Sequence, residues 1–153
     1  MKKFIQTCTV LALALWVSGA SAQTTVKRFG SEQSIIANAI WVGDTLYLSG
    51  QLPAAYTGDT KTQTISTLNV IQNILKEHAL GMGDIVQMRV YLVGDPAQGG
   101  KLDFAGMNEA YKQYFGTKEQ ANKPVRATIQ AAALVVPSAL VEIEVVAVRS
   151  KSN

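Results

Sequence analysis

Pro124-Val125-Arg126-Ala127-Thr128-Ile129-Gln130, then Pro137, then Val141-Glu142-Ile143-Glu144-Val145-Val146-Ala147 decide how this chain folds. Both runs read as strands, over residues 125–132 and 139–148. Side chains alternate between the two faces of a strand, so each run splits into two rows. Val141, Ile143, Val145 and Ala147 form a wholly apolar row, expected to face a helix-covered core. The opposite row is Leu140, Glu142, Glu144, Val146 and Val148. In the preceding strand, Val125, Ala127, Ile129 and Ala131 oppose Arg126, Thr128, Gln130 and Ala132. The second sheet face is thus expected to carry Arg126, Thr128, Gln130, Glu142 and Glu144 among apolar residues. Such a face is too apolar to be fully wet and too polar for a dry core. Burial against copies of itself explains the mixture, with polar positions surviving in clefts between subunits.

Working outward, Thr45–Ser49 reads as a strand bounded by Gly43-Asp44 and Gly50, and a weaker strand is expected near Thr25–Phe29. Residues 62–79 carry Ile65, Leu68, Ile71, Leu75 and Ala79 at helical spacing, with Gly81 placed as a C-terminal cap. Residues 85–93 read as a strand closed by Gly94-Asp95-Pro96. Residues 103–115 read as a second helix, started by Asp103 and ended by Gly116, with Phe104, Met107, Tyr111 and Tyr114 on one face as core. The order β-β-α-β-α-β-β predicts an α+β fold: a mixed sheet with both helices on one face.

The first 22 residues read as an address. Lys2 and Lys3 precede an apolar run from Thr9 to Val17, and Ala20-Ser21-Ala22 fits a small-x-small cleavage site. The run is shorter than the ~20 residues a spanning helix needs. The expectation is cleavage after Ala22, a periplasmic or secreted location, a domain over 23–153, and no membrane contact once the leader is gone. Lys2 and Lys3 leave with the leader, so 12 of the 14 basic residues face 11 acidic ones and the net charge is +1. A near-neutral domain without a basic cluster offers no electrostatic footprint for nucleic acid. Cys8 is the sole cysteine and departs too, which excludes disulfides, thiol catalysis and cysteine-based zinc sites. His78 is the only histidine, so no histidine-based metal cluster is expected; it reads as an exposed or helix-capping residue.

Five short motifs, in order over about residues 41–149, resemble those of the Rid/YjgF family. Leu48-Ser49-Gly50-Gln51-Leu52-Pro53 is similar to its SGQ-x-P turn, and Gly83-Asp84-Ile85-Val86 to its entry into a strand. Asn108-Glu109-Ala110-Tyr111 with Tyr114-Phe115 resembles its N-x-x-Y…F helix. Pro124-Val125-Arg126 and Glu142-Ile143-Glu144-Val145-Val146-Ala147 resemble its P-x-R and EIE-x-x-A segments. Each motif is weak alone and the ordered set is strong. The resemblance implies a chorismate-mutase-like α+β fold and a homotrimer with inter-subunit clefts. It also implies cofactor-free, metal-free hydrolysis of reactive imines and enamines, of the 2-iminobutanoate and 2-iminopropanoate kind, to 2-oxo acids plus ammonia.

By the same resemblance, Arg126 binds the substrate carboxylate, and its planar, permanently charged fork suits that role. Glu142 stands beside the attacking water, where a carboxylate can act as general base. Ser49, Asn108 and Thr128 line the cleft and contribute hydrogen bonds and shape. Glu144 reads as structural, paired across an interface. Two departures stand out. Ser34-Ile35-Ile36-Ala37-Asn38-Ala39 replaces a G-P-Y-S-Q-A-like segment, so Ile36 takes the place of a tyrosine, and Thr128 stands where a cysteine is frequent. A second function therefore stays open: a non-catalytic module that holds a small carboxylate or 2-oxo acid in the same cleft. The geometry is open as well. A simple hairpin of the last two strands would set Gln130 opposite Glu142 and Arg126 roughly 13 Å further along, at ~3.3 Å per residue. Either the strands pair otherwise, or each site takes Arg126 and Glu142 from different subunits.

Overall fold

In the computed structural model, which describes residues 24–150, the two C-terminal strands form but are not neighbours. The predicted leader, residues 1–22, lies outside the described residues. The strands are β1 (Val26–Phe29), β2 (Ala39–Val42), β3 (Thr45–Gln51), β4 (Ile85–Leu92), β5 (Val125–Gln130) and β6 (Val141–Val148), and the helices are α1 (Thr60–Glu77) and α2 (Phe104–Tyr111). They make one mixed six-stranded sheet in the order β1-β2-β3-β6-β4-β5. Both helices pack on one face, as the pattern predicts. β5 is an edge strand running parallel to β4, while β4 separates it from β6.

The apolar row of β6 behaves as its alternation requires. Val141, Ile143, Val145 and Ala147 are buried, joined by Leu46, Leu48, Met88, Val90 and Leu92 from neighbouring strands. Leu68, Ile71 and Leu75 from α1 and Met107 from α2 close this core. Each of the larger side chains contributes about 1.5–3 kcal/mol on burial, which makes a one-residue slip of β6 prohibitive. The N-terminal half of the buried face of α1 is polar. Thr64 and Thr67 satisfy their hydroxyls on the carbonyls of Thr60 and Gln63. The Gln63 amide accepts from the Leu140 N–H at 2.9 Å and donates to the Ser138 carbonyl, which anchors the entry to β6 and hence the position of Glu142.

Three local readings are corrected. Residues 39–42 form a strand that their unbroken apolar run does not signal. β2 and β3 are a hairpin joined by Gly43-Asp44, where Gly43 takes a φ of +58° that costs glycine little. α1 starts at Thr60, because the Asp59 carboxylate caps the Thr62 N–H at 2.8 Å. It ends not on Gly81 but on Ala79, which adopts a left-handed φ of 56°. The Leu80 N–H then reaches back to the Leu75 carbonyl at 2.8 Å, and this closure of the helix end imposes the conformation on a residue with a Cβ. α2 is shorter than predicted; Asp103 caps it through Gly106, and irregular turns follow Tyr111.

The face assignment of β5 is also overturned. Met88 on β4 points into the core, and it is the register partner of Arg126. Arg126, Thr128 and Gln130 therefore face the helix side, and Val125, Ala127 and Ile129 face away. Parity defines two rows in a strand but not which row faces the helices. In an edge strand with no wholly apolar row, the register on β4 decides.

Candidate functional site

Arg126 lies where the β5 edge meets α2. Its guanidinium donates to the Asn108 Oδ1 at 2.7 Å and contacts the Met107 Sδ at 3.6 Å. It stacks over the Tyr111 ring at 4.3 Å from the centroid, with the Phe104 ring 5.8 Å away. Among the described residues no carboxylate pairs with it. The side chain is thus oriented by one amide and two aromatic faces, yet its charge is not neutralised, and donors remain for a ligand. Asn108 and Phe104 also line an open groove of about 650 Å³ along α2. Two residues along β5, on the same face, the Thr128 Oγ1 is buried without a hydrogen-bond partner among the described residues. A buried hydroxyl left unpaired is costly and invites a polar group from outside.

Helical spacing places Phe104 and Tyr111 in the expected core stripe. Met107 is buried as expected, but Phe104 is 45 % exposed and Tyr111 partly buried, and both hold Arg126. Spacing could not separate them from core. The only available signal was their position on the helix that carries Asn108. Arg126 itself lowers the Tyr111 hydroxyl pKa, but burial outweighs it and pushes that pKa up, so the ring stays neutral beneath the cation.

Ser49 and Glu142 sit elsewhere, on the other side of the sheet. The β3–β6 register shifts between Leu48 and Gln51, a bulge centred on Ser49-Gly50. The Glu142 carboxylate occupies the space beside Gly50, and a Cβ at that position would collide with it. The Ser49 hydroxyl donates to the Ala37 carbonyl at 2.6 Å, and its N–H bonds the Asn38 carbonyl. Ser49 therefore ties the loop bearing the exposed Ile36 to the bulge beside Glu142. Glu142 is half-buried and has no hydrogen-bond or ion-pair partner among the described residues. Burial, reinforced by the Glu144 charge, holds its pKa above the usual glutamate value. Such a carboxylate is suited to accept a proton from water. Glu144 is engaged within its own chain. It accepts from Arg89 and from the Tyr91 hydroxyl, both at 3.2 Å.

One chain thus places Arg126, Asn108 and Thr128 on the helix side of the sheet, and Ser49 and Glu142 on the other. Arg126 pairs with Met88 and Glu142 with Tyr91, three residues apart on the intervening strand. Two strand spacings and three residue rises separate them by roughly 14 Å, on opposite faces. Among the described residues, no group of three or more His, Cys, Asp and Glu is arranged to hold a metal, and no helix is long and apolar enough to cross a membrane.

A two-helix α+β protein built on a mixed sheet, with an oriented and unpaired arginine at the sheet edge, is the class these features define. The chain belongs to the YjgF/Rid family: the family described as Endoribonuclease L-PSP matches residues 27–149. It is 36 % identical over 114 residues to an Escherichia coli protein named "Putative reactive intermediate deaminase TdcF", covering 71 % of this chain and 82 % of that one. A RutC family protein of Pyrococcus abyssi is 33 % identical over 117 residues, covering 72 % of this chain and 84 % of its own. The crystal structure of E. coli TdcF with bound serine superposes with a TM-score of 0.65 at 31 % identity, covering 76 % of this chain and 90 % of that one. An uncharacterized protein from Pseudomonas aeruginosa superposes with a TM-score of 0.68 at 28 % identity, over 82 % of this chain and all of its own.

Proposed function

We propose that this protein is a cofactor-free deaminase that hydrolyses small 2-imino and enamine acids to 2-oxo acids plus ammonia. It works at clefts between the subunits of a homotrimer. The observation that carries this reading is the Arg126 guanidinium: oriented by Asn108, flat on Tyr111, and without a carboxylate partner among the described residues. It fits a substrate carboxylate. The relative named as a reactive intermediate deaminase, and the TdcF structure with a bound amino acid, support the same chemistry. Thr128 and Asn108 line the carboxylate end. Exposed Tyr47, Val125 and Ile129 on the sheet face away from the helices support burial against other subunits. A trimer would bring the Glu142 half-site of one subunit against the Arg126 half-site of the next, and so resolve their separation within one chain.

In the proposed reaction, water attacks the imine carbon while Glu142 accepts its proton. Glu142 passes that proton to the nitrogen, and the tetrahedral carbinolamine forms. Its collapse expels ammonia and leaves the 2-oxo acid. An enamine must first be protonated at carbon to give the imine. Export through residues 1–22, with cleavage after Ala22, places this activity in the periplasm or outside the cell as part of the same proposal.

The test couples an L-amino-acid oxidase to a semicarbazide trap, with wild type and Arg126→Ala compared. Acceleration of imine loss by wild type alone supports the deaminase. A second reading rests on the exposed Ile36 where related sequences carry a tyrosine: the cleft binds a small carboxylate without turning it over. No acceleration, together with 2-oxo acid binding that Arg126→Ala abolishes, favours that reading.

A further inference from the structure

The structure assigns a second binding site, for a small carboxylate- or phosphate-bearing anion, at the β1–β2 edge of the sheet. There a cavity of about 290 Å³ is lined by Thr25, Lys27, Phe29, Trp41, Gly43 and Arg149. Its size is near the lower end of metabolite-binding pockets. It is not part of the Arg126 site. β1 and β5 are opposite edges of the sheet, five strand spacings or about 24 Å apart.

Two cations converge on the cavity. Lys27 is the register partner of Trp41, so their side chains share the helix-bearing face. Arg149 extends β6 on the same face, and its guanidinium lies over the Trp41 ring at 4.3 Å. One of its N–H groups donates to the His78 carbonyl at the end of α1, at 3.2 Å. The negative end of the helix thus helps fix the cation in place. Trp41 is itself anchored: its indole N–H donates to the His78 Nδ1 at 3.4 Å, and the His78 ring packs edge-on against Phe29. Neither Lys27 nor Arg149 forms an ion pair with a carboxylate among the described residues. An Arg fork pre-oriented on an aromatic floor, with Lys27 and Thr25 lining the same cavity, matches the chemistry of an oxyanion. Phe29, 40 % exposed, offers an apolar wall for the body of the ligand.

The experiment is an NMR titration of the full ¹⁵N-labelled chain with sodium phosphate and, separately, sodium succinate. Sodium chloride at matched ionic strength is the control. The readout is the Trp41 indole N–H resonance, told apart from that of Trp16 by a Trp16→Phe variant. A saturable shift with phosphate, succinate or both, absent with chloride, is expected, and the stronger ligand identifies the anion. Lys27→Gln and Arg149→Gln are each expected to weaken binding ~10-fold or more, as loss of a charge-assisted hydrogen bond does. Arg126→Ala should leave the shift unchanged. Lys27 lies on an exposed edge strand, so its variant remains informative if Arg149→Gln loosens Trp41. The proposal is overturned if neither anion shifts the resonance beyond chloride, if both substitutions leave the affinity unaltered, or if Arg126→Ala abolishes the effect.

Discussion

Arg126→Ala and Glu142→Gln subunits, each expected to be inactive alone, should regain activity when they assemble together. Within one chain the two side chains lie on opposite sheet faces, with β4 between their strands. The separation of roughly 14 Å exceeds the reach of a small imino acid several-fold. If the proposed site joins two subunits of a cyclic trimer, each of the three clefts takes its Arg from one protomer and its Glu from the next. In a random equal mixture, a cleft is intact when the Arg donor is a Glu142→Gln subunit and the Glu donor an Arg126→Ala subunit. About one cleft in four meets both conditions, so the mixture should recover about 25 % of wild-type turnover. Differently tagged variants would be co-expressed, purified through both tags in sequence, and assayed with the oxidase and semicarbazide trap. Tandem purification enriches mixed trimers, so the untagged statistical mixture must be measured alongside. Mixed trimers that form in the expected proportions but stay as inactive as the parents would refute the shared-cleft geometry. It would then follow that Arg126 and Glu142 act in separate places, or that one of them does not act.

Three further outcomes are expected. Gly50→Ala introduces a methyl where the Glu142 carboxylate lies; the clash is with the end of a flexible side chain, so Tm should move little. The displaced carboxylate should lower kcat by ~10–100-fold, measured by steady-state imine hydrolysis beside thermal unfolding. Glu142 has a folded-state pKa raised by burial and by Glu144, so ionising it costs stability that is absent at low pH and grows as pH rises past the unfolded-state value. Glu142→Gln should therefore raise Tm at neutral pH, with the gain vanishing below about pH 4; a gain that persists in acid would contradict this cause. Ala79→Gly removes a Cβ from a residue held at a φ of 56° and should stabilise the fold by about 1 kcal/mol, read as a higher midpoint in denaturant unfolding.

Much of the fold was legible because periodicity is a local property. The β6 row, the α1 stripe and the capping residue Asp103 are each defined within a few positions. β2 escaped because Ala39-Ile40-Trp41-Val42 is four residues long and does not alternate, although the Gly43-Asp44 pair that follows it is a hairpin signal. The site was legible as a set of residue types rather than as a place. Arg126 and Asn108, 18 positions apart in sequence, meet at 2.7 Å. Glu142 and Arg126, though on consecutive strands, do not meet. The Tyr111 and Phe104 platforms looked like core because an aromatic at helical spacing packs against whatever the sheet presents there, in this case a cation.

By itself the sequence determined the strand and helix types, the buried row of β6, the near-neutral charge of the domain and the cluster of motifs shared with the YjgF/Rid family. Those follow from side-chain alternation, composition and order along the chain. Only the tertiary structure decided which strand lies between β5 and β6, which way Arg126 faces, and that Glu142 and Arg126 lie on opposite faces of the sheet. Strand order depends on long-range pairing, and the orientation of an edge strand depends on its register with a partner 38 residues earlier in the chain. Neither is encoded in any window short enough to read along one segment.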